Sequence, residues 1–140
     1  TALTLLHRLG VAQLGTVHFN IAICLVEEQK FSEAEPYFHK VHQTLTALGN
    51  KGYLGISHLG LATCAGARGD WTAWQNHLDH SQTFIDQAAI VLPDIPILAT
   101  AAMHPASAAH RPDDADRLRQ LAISQWTKLQ RFDDAAKLTN

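Results

Sequence analysis

LGTVHFNIAIC at residues 14–24 returns as LGISHLGLATC at residues 54–64. A shift of forty lays Leu14 on Leu54, Gly15 on Gly55, His18 on His58, Ala22 on Ala62 and Cys24 on Cys64. Apolar character persists beyond the identities, with Ile21 over Leu61, Phe31 over Trp71, Phe38 over Leu78 and Leu45 over Ile85. Self-similarity at a period of about 20 to 50 residues marks a repeat architecture. A shift of 101 adds a further copy, because Gln29-Lys30-Phe31-Ser32-Glu33-Ala34 falls on Gln130-Arg131-Phe132-Asp133-Asp134-Ala135 with residue class kept throughout.

Each of these turn-like stretches lies between two amphipathic runs, so it reads as the tight connection between two antiparallel helices. Ser32, Thr72 and Asp133 then stand near helix starts, where hydroxyl and carboxylate groups suit the free N–H groups and the dipole. The expected helices are Thr1 to Leu9, Leu14 to Glu28, Phe31 to Leu48, Leu54 to Ala67, Trp71 to Val91, Ile95 to Ala109, Asp113 to Leu129 and Phe132 onward. Gly10, Gly49 to Gly52 and Gly66 to Gly69 fall at the breaks. Nothing alternates with period two, so the expected class is all-α. Repeats are placed at about 14–48, 54–91 and 113–140. Between them Pro93, Pro96, Pro105 and Pro112 interrupt residues 92–112, which read either as an insertion or as the first helix of another hairpin.

The chain has 140 residues and a formal charge of -2 with its cations scattered, which gives no electrostatic footprint for nucleic acid. The apolar stretch Ala88 to Met103 is broken by Pro93, Asp94 and Pro96, so no membrane span is read there. Two cysteines forty apart make no disulfide framework, and the expected location is the cytoplasm. Thr1 reads as already inside a helix, and the helix opened by Phe132 runs out at Asn140, so the chain is expected to be cut from a longer protein.

The pattern resembles the tetratricopeptide (TPR) family. Its first-helix positions are met by His18, Ile21, Ala22 and Leu25, and its second-helix positions by Ala34 and Phe38. The next copy offers His58, Leu61, Ala62 and Ala65, then Trp74 and Leu78, and the last offers Ala122, Ile123, Trp126 and Ala135. The resemblance implies an α-solenoid of antiparallel helix-turn-helix hairpins and a concave groove lined by the first helices. The sequence departs from the family in its forty-residue period, against the common thirty-four. It departs again at Trp74, where the family has a small residue, so a splayed second hairpin is expected.

The groove so implied is formed by Thr16, Phe19, Ile23, Val26, Ile56, Leu59 and Thr63, an apolar face suited to a partner helix or peptide. The bland alternative is that these side chains are covered by a neighbouring hairpin, a second copy, or Ile95 to Met103 folding back. The Lys/Asn/Arg clamp by which some TPR domains hold a C-terminal carboxylate is replaced by Phe19, Ile23 and Leu59. His39 with His42, and His77 with His80, share a helix face at i, i+3, but no further ligand recurs beside them and no metal is expected. His18 and His58 read as partly buried packing residues, and Cys24 and Cys64 as buried free thiols.

No phosphate loop, nucleophile elbow or metalloprotease motif is present, so neither a catalytic centre nor a cofactor is expected. Asp113, Asp114 and Asp116 follow Pro112 as a helix start. The expected function is a protein–protein interaction scaffold. The alternatives are a homodimerisation module, or a regulatory region of the kind found at the C-termini of large bacterial signalling proteins such as Ser/Thr kinases and NTPase-linked transcription regulators, which the array resembles.

Overall fold

The computed structural model describes residues 2–88 and 91–139, without the side chain of Lys51. Among them there are seven α-helices and no strand: α1 (Ala2–Glu27), α2 (Phe31–Leu48), α3 (Lys51–Ala67), α4 (Trp71–Ala88), α5 (Asp94–Ala108), α6 (Pro112–Lys128) and α7 (Phe132–Lys137). The fold is all-α. Positions 89 and 90 of the expected fourth helix lie outside the described residues.

The expected break at Gly10 does not occur, and α1 runs unbroken through it. A glycine inside a helix costs only about 1 kcal/mol relative to alanine, too little to stop a run flanked by strong helix formers. The prolines are likewise absorbed. Pro96 sits in the first turn of α5 and Pro112 opens α6, positions whose N–H groups have no intrahelical acceptor. Pro105 lies inside α5, and its ring carbon packs toward Gly66. Ser32, Thr72 and Asp133 fall within first turns, whereas the observed capping side chains are Asn50, accepting from the Tyr53 N–H, and Asp70, accepting from the Ala73 N–H.

Five connections share one geometry. A single residue takes positive φ at Gln29, Gly49, Gly69, His110 and Gln130, between 57° and 79°. The next N–H then reaches back to a carbonyl five residues earlier, in Lys30→Leu25, Asn50→Leu45, Asp70→Ala65, Arg111→Ala106 and Arg131→Trp126, at 2.8 to 3.0 Å. This closes each helix end. Gln29, Gly69 and His110 are spaced forty and forty-one apart, so α1/α2, α3/α4 and α5/α6 succeed one another as hairpins. Of the two arrangements left open by the sequence, α5 therefore pairs with α6, and α7 follows it.

Within hairpins the helices are antiparallel: Gly15 faces Thr44, Gly55 faces Phe84 and Ile85, and Gly66 faces Trp74. The first and second hairpins join through α2 and α3, where Ser57 meets His42 and Arg68 meets Glu35. The second and third join through α3 and α5, which run parallel. Arg111 over the Trp71 ring and Arg117 on Asp79 tie α6 to α4.

Helix α3 is the centre. From Leu54 to Gly66 every residue is buried except the half-buried His58. A helix apolar on all sides belongs in an interior. Trp74 is fully buried with its ring over Gly66, so the expected splay is absent: the small residue that admits close approach is on the opposite helix. Phe38 stands on Gly60 in the same manner. Side chains of this size each gain about 1.5–3 kcal/mol from burial.

Candidate functional site

The groove expected from the sequence is mostly interior. Val26, Ile56, Leu59 and Thr63 are buried, and Val26, Ile56 and Leu59 share one core with Ile95, Leu98, Ala99 and Ala102 of α5. The segment Ile95 to Met103 covers them. Thr63 spends its hydroxyl on the Leu59 carbonyl, 2.9 Å away. Only Thr16, exposed, and Phe19 and Ile23, half-buried, keep contact with solvent. Thr16 and Phe19 line a cleft of about 340 Å3 between α1 and α2 that also holds Tyr53 and Asp94. Burial raises the pKa of the Asp94 carboxyl. Val26 borders a second cleft, of about 500 Å3, with Ile97, Ala101, His104, Trp126 and Leu138.

The larger unsatisfied surface lies on the other side of α1. Leu3, Leu14, Val17, Ile21 and Cys24 follow one another at helical spacing, and all are exposed, Leu3 at 80%. Leu5, Leu6 and Leu9 are exposed beside them. Cys24 is therefore not the buried thiol expected. Cys64 is buried, and desolvation pushes its pKa up to about 12, which leaves it an unreactive thiol.

The forty-residue repeat sets this face beside buried equivalents. Leu14, Val17 and Ile21 are 55%, 52% and 36% exposed, whereas their equivalents Leu54, Ser57 and Leu61 are 9%, 0% and 3%. On α3 that face receives α2, through His42 on Ser57, Phe38 on Gly60 and Glu35 on Arg68. On α5 the positions a further forty along, Ile97, Ala101 and His104, line the second cleft. Helix α1 has the all-round apolar composition of α3 yet stands at an edge, with no described helix on that face. It is also the one described helix long and apolar enough to cross a bilayer, by length and composition only. The break read at Gly10 hid this from the sequence.

A polar constellation occupies the junction of α2, α3 and α4. His58 is half-buried, with its Nδ1 3.0 Å from the Nδ1 of His77. The His80 and Phe84 rings stack on it at 5.1 and 5.8 Å, and His42 meets it edge-on at 4.8 Å. His42 Nδ1 is 3.2 Å from Ser57 Oγ. Burial, then the neighbouring histidines, lower the His58 pKa to about 4, and the His42 and His77 values are lowered for the same reasons. The two i, i+3 pairs thus do not lie on a solvated outer face: His42 and His77 turn inward to His58, while His39 and His80 are exposed. The partner was legible, since the shift of forty maps the His18–Tyr37 contact onto His58–His77.

Next to it, Arg68 donates from Nε and Nη2 to Glu35 at 2.9–3.1 Å and from Nη1 to Asp70 at 2.9 Å, tying the ends of three helices. The Ala73 N–H, and then Arg68, hold the Asp70 carboxyl below its ordinary range. Among the described residues no three His, Cys, Asp or Glu side chains converge as a metal site requires. Compared with known protein families, curated proteins and solved structures, the chain matches none.

Proposed function

We propose that this chain is a TPR-like α-solenoid segment that works as a protein–protein interaction scaffold, and that its docking surface is the outer face of α1 at Leu14, Val17, Ile21 and Cys24. The observation that carries the reading is the contrast between two repeat-equivalent faces, one buried under α2 and one bare. The near-constant spacing of the hairpin turns and the parallel course of α3 and α5 support the solenoid.

The occupant is an amphipathic helix seated on α1 as α2 sits on α3, and the residues of α1 state how it differs from α2. Where α2 sets Phe38 on Gly60, α1 offers Asn20, so the partner brings a small residue. Val17 replaces Ser57, so an apolar side chain takes the place of His42. Glu28 replaces Arg68 and already pairs with Lys30 at 2.9 Å, so a cation in the place of Glu35 would share that carboxylate.

A peptide of residues 30–50 carrying Glu35→Lys, Phe38→Ala and His42→Leu is the probe, with fluorescence anisotropy as the readout. Capture by the wild type, lost in a folded Val17→Glu/Ile21→Glu double variant, supports the proposal. Equal capture by both proteins, or by neither, overturns it. A concentration-dependent dimer abolished by the same pair would put a second copy on this face, and flotation with phosphatidylcholine vesicles would assign it to a bilayer; either result replaces the peptide-binding reading.

A further inference from the structure

We propose that His42, His58, His77 and His80 form an acid-sensitive latch that holds α2 and α4 on α3 while the imidazoles are neutral and releases them when the cluster takes up protons. The geometry requires that at least one of His58 and His77 stay neutral. Two ring nitrogens 3.0 Å apart hold together only if one donates and the other accepts, and an imidazolium has no acceptor nitrogen. Protonating both His58 and His77 sets two donors against each other. A charge on His58 would also sit between the rings of His42 and His80, each about 5 Å away.

Among the described residues no anion is placed to offset a charge on His58, although Asp70 interacts with His77. On α2, Glu35 is engaged by Arg68, His39 is exposed and 3.9 Å from Glu35, and Lys40 lies over the Tyr37 ring. On α4, Asp70 is held by Arg68 and the Ala73 N–H, and Asp79 by Arg117 of α6. On α5, Asp94 and His104 lie at the two ends of the helix, each in a separate cleft. The charges acting on His58 are those of His42, His77 and His80, and all three disfavour its protonation.

The direction of the pH effect follows. The folded His58, with a pKa of about 4 against 6.5 for the free side chain, binds fewer protons than the unfolded chain between those values. Stability is therefore complete above the free value and falls as the pH drops through this window. Because α2 is the main link from α1 to the rest of the molecule, opening the latch weakens the junction between the first hairpin and α3 and leaves it to Phe38 on Gly60 and Glu35 on Arg68.

The test is urea unfolding at pH 7.5 and pH 5.0 on the wild type, His58→Gln and His7→Gln, the last a histidine outside the cluster. The unfolding constant of the wild type and of His7→Gln rises on the order of tenfold more than that of His58→Gln, after allowance for the half-exposure of the ring. Equal acid sensitivity in all three overturns the proposal. Should His58→Gln not fold, NMR titration of the wild-type imidazoles decides: His58 titrating well below the exposed histidines supports the latch, and titration alongside them refutes it. Hydrogen exchange at pH 5.5 supplies the conformational readout, with α2 amides accelerating before those of α6; uniform acceleration across the helices contradicts a latch.

Discussion

Replacing Gly66 by alanine asks whether close approach between α3 and α4 is what seats Trp74. A Cβ on Gly66 would fall 2.5 Å from Cε3 and 2.6 Å from Cζ3 of the Trp74 ring, with Pro105 at 3.3 Å beyond. The ring is fully buried, so any shift of it must displace packed neighbours. Its Nε1 has no hydrogen-bond partner among the described residues, which leaves packing to seat the ring. Overpacking of this kind costs about 1–3 kcal/mol, against which helix propensity returns up to about 1 kcal/mol. Gly66→Ala is thus expected to lose about 1–2 kcal/mol in urea unfolding. Gly10→Ala, with nothing within 4 Å, should gain up to about 1 kcal/mol. Combining Gly66→Ala with Trp74→Leu should cost less than the two single changes added, a coupling of about 1 kcal/mol. A Gly66→Ala protein as stable as the wild type would refute the reasoning.

Further expectations concern local features. Gln29→Gly and Gln130→Gly each relieve a side chain held at positive φ, 61° and 60°, and should stabilise by up to about 1 kcal/mol in thermal unfolding. An aromatic disulfide reagent should titrate one thiol per native chain, at Cys24, and a second only on unfolding, because Cys64 is buried with its pKa near 12. Two fast thiols would contradict the packing. Asp70→Ala removes the cap of α4 and should lower stability near neutrality. Because the folded carboxyl is depressed, this contribution is present above the ordinary Asp range and fades as the pH falls through the folded value, so wild type and variant converge in strong acid.

Much of the fold was legible because helix periodicity and a forty-residue repeat coincide. The part that was not legible follows from proline and glycine. Ala22, Ala62 and Ala102 stand forty apart and are all fully buried, as are Phe38, Leu78 and Leu118 to within 3%. The sequence therefore carried a copy running through α5 and α6, and helices were expected at Ile95 to Ala109 and Asp113 to Leu129, but four prolines left open whether residues 92–112 were an insertion or part of a hairpin. Two of them sit in first turns, where the missing N–H costs nothing. Residues 130–135 repeat residues 29–34 in local turn chemistry, yet the first turn joins α6 to α7 and the second joins α1 to α2.

The site was harder to read. Periodicity gives which side chains share a helix face but not which helix arrives on it. Ile56, Leu59 and Thr63 do share a face, and α5 fills it. The bare face of α1 could have been found by comparing it with α3: both are apolar all round, and only one of them can be central. The histidine cluster depends on which way α2 turns against α3, a detail the spacing of His39 and His42 leaves free.

Hydrogen exchange along α1, measured with and without the substituted peptide of residues 30–50, tests most directly whether this face takes a helix. The account predicts slowed exchange across residues 14–24, the stretch that carries the exposed Leu14, Val17, Ile21 and Cys24, with the clefts beside Asp94 and His104 unchanged. Protection centred on either cleft, or none at concentrations that saturate the anisotropy signal, would contradict it.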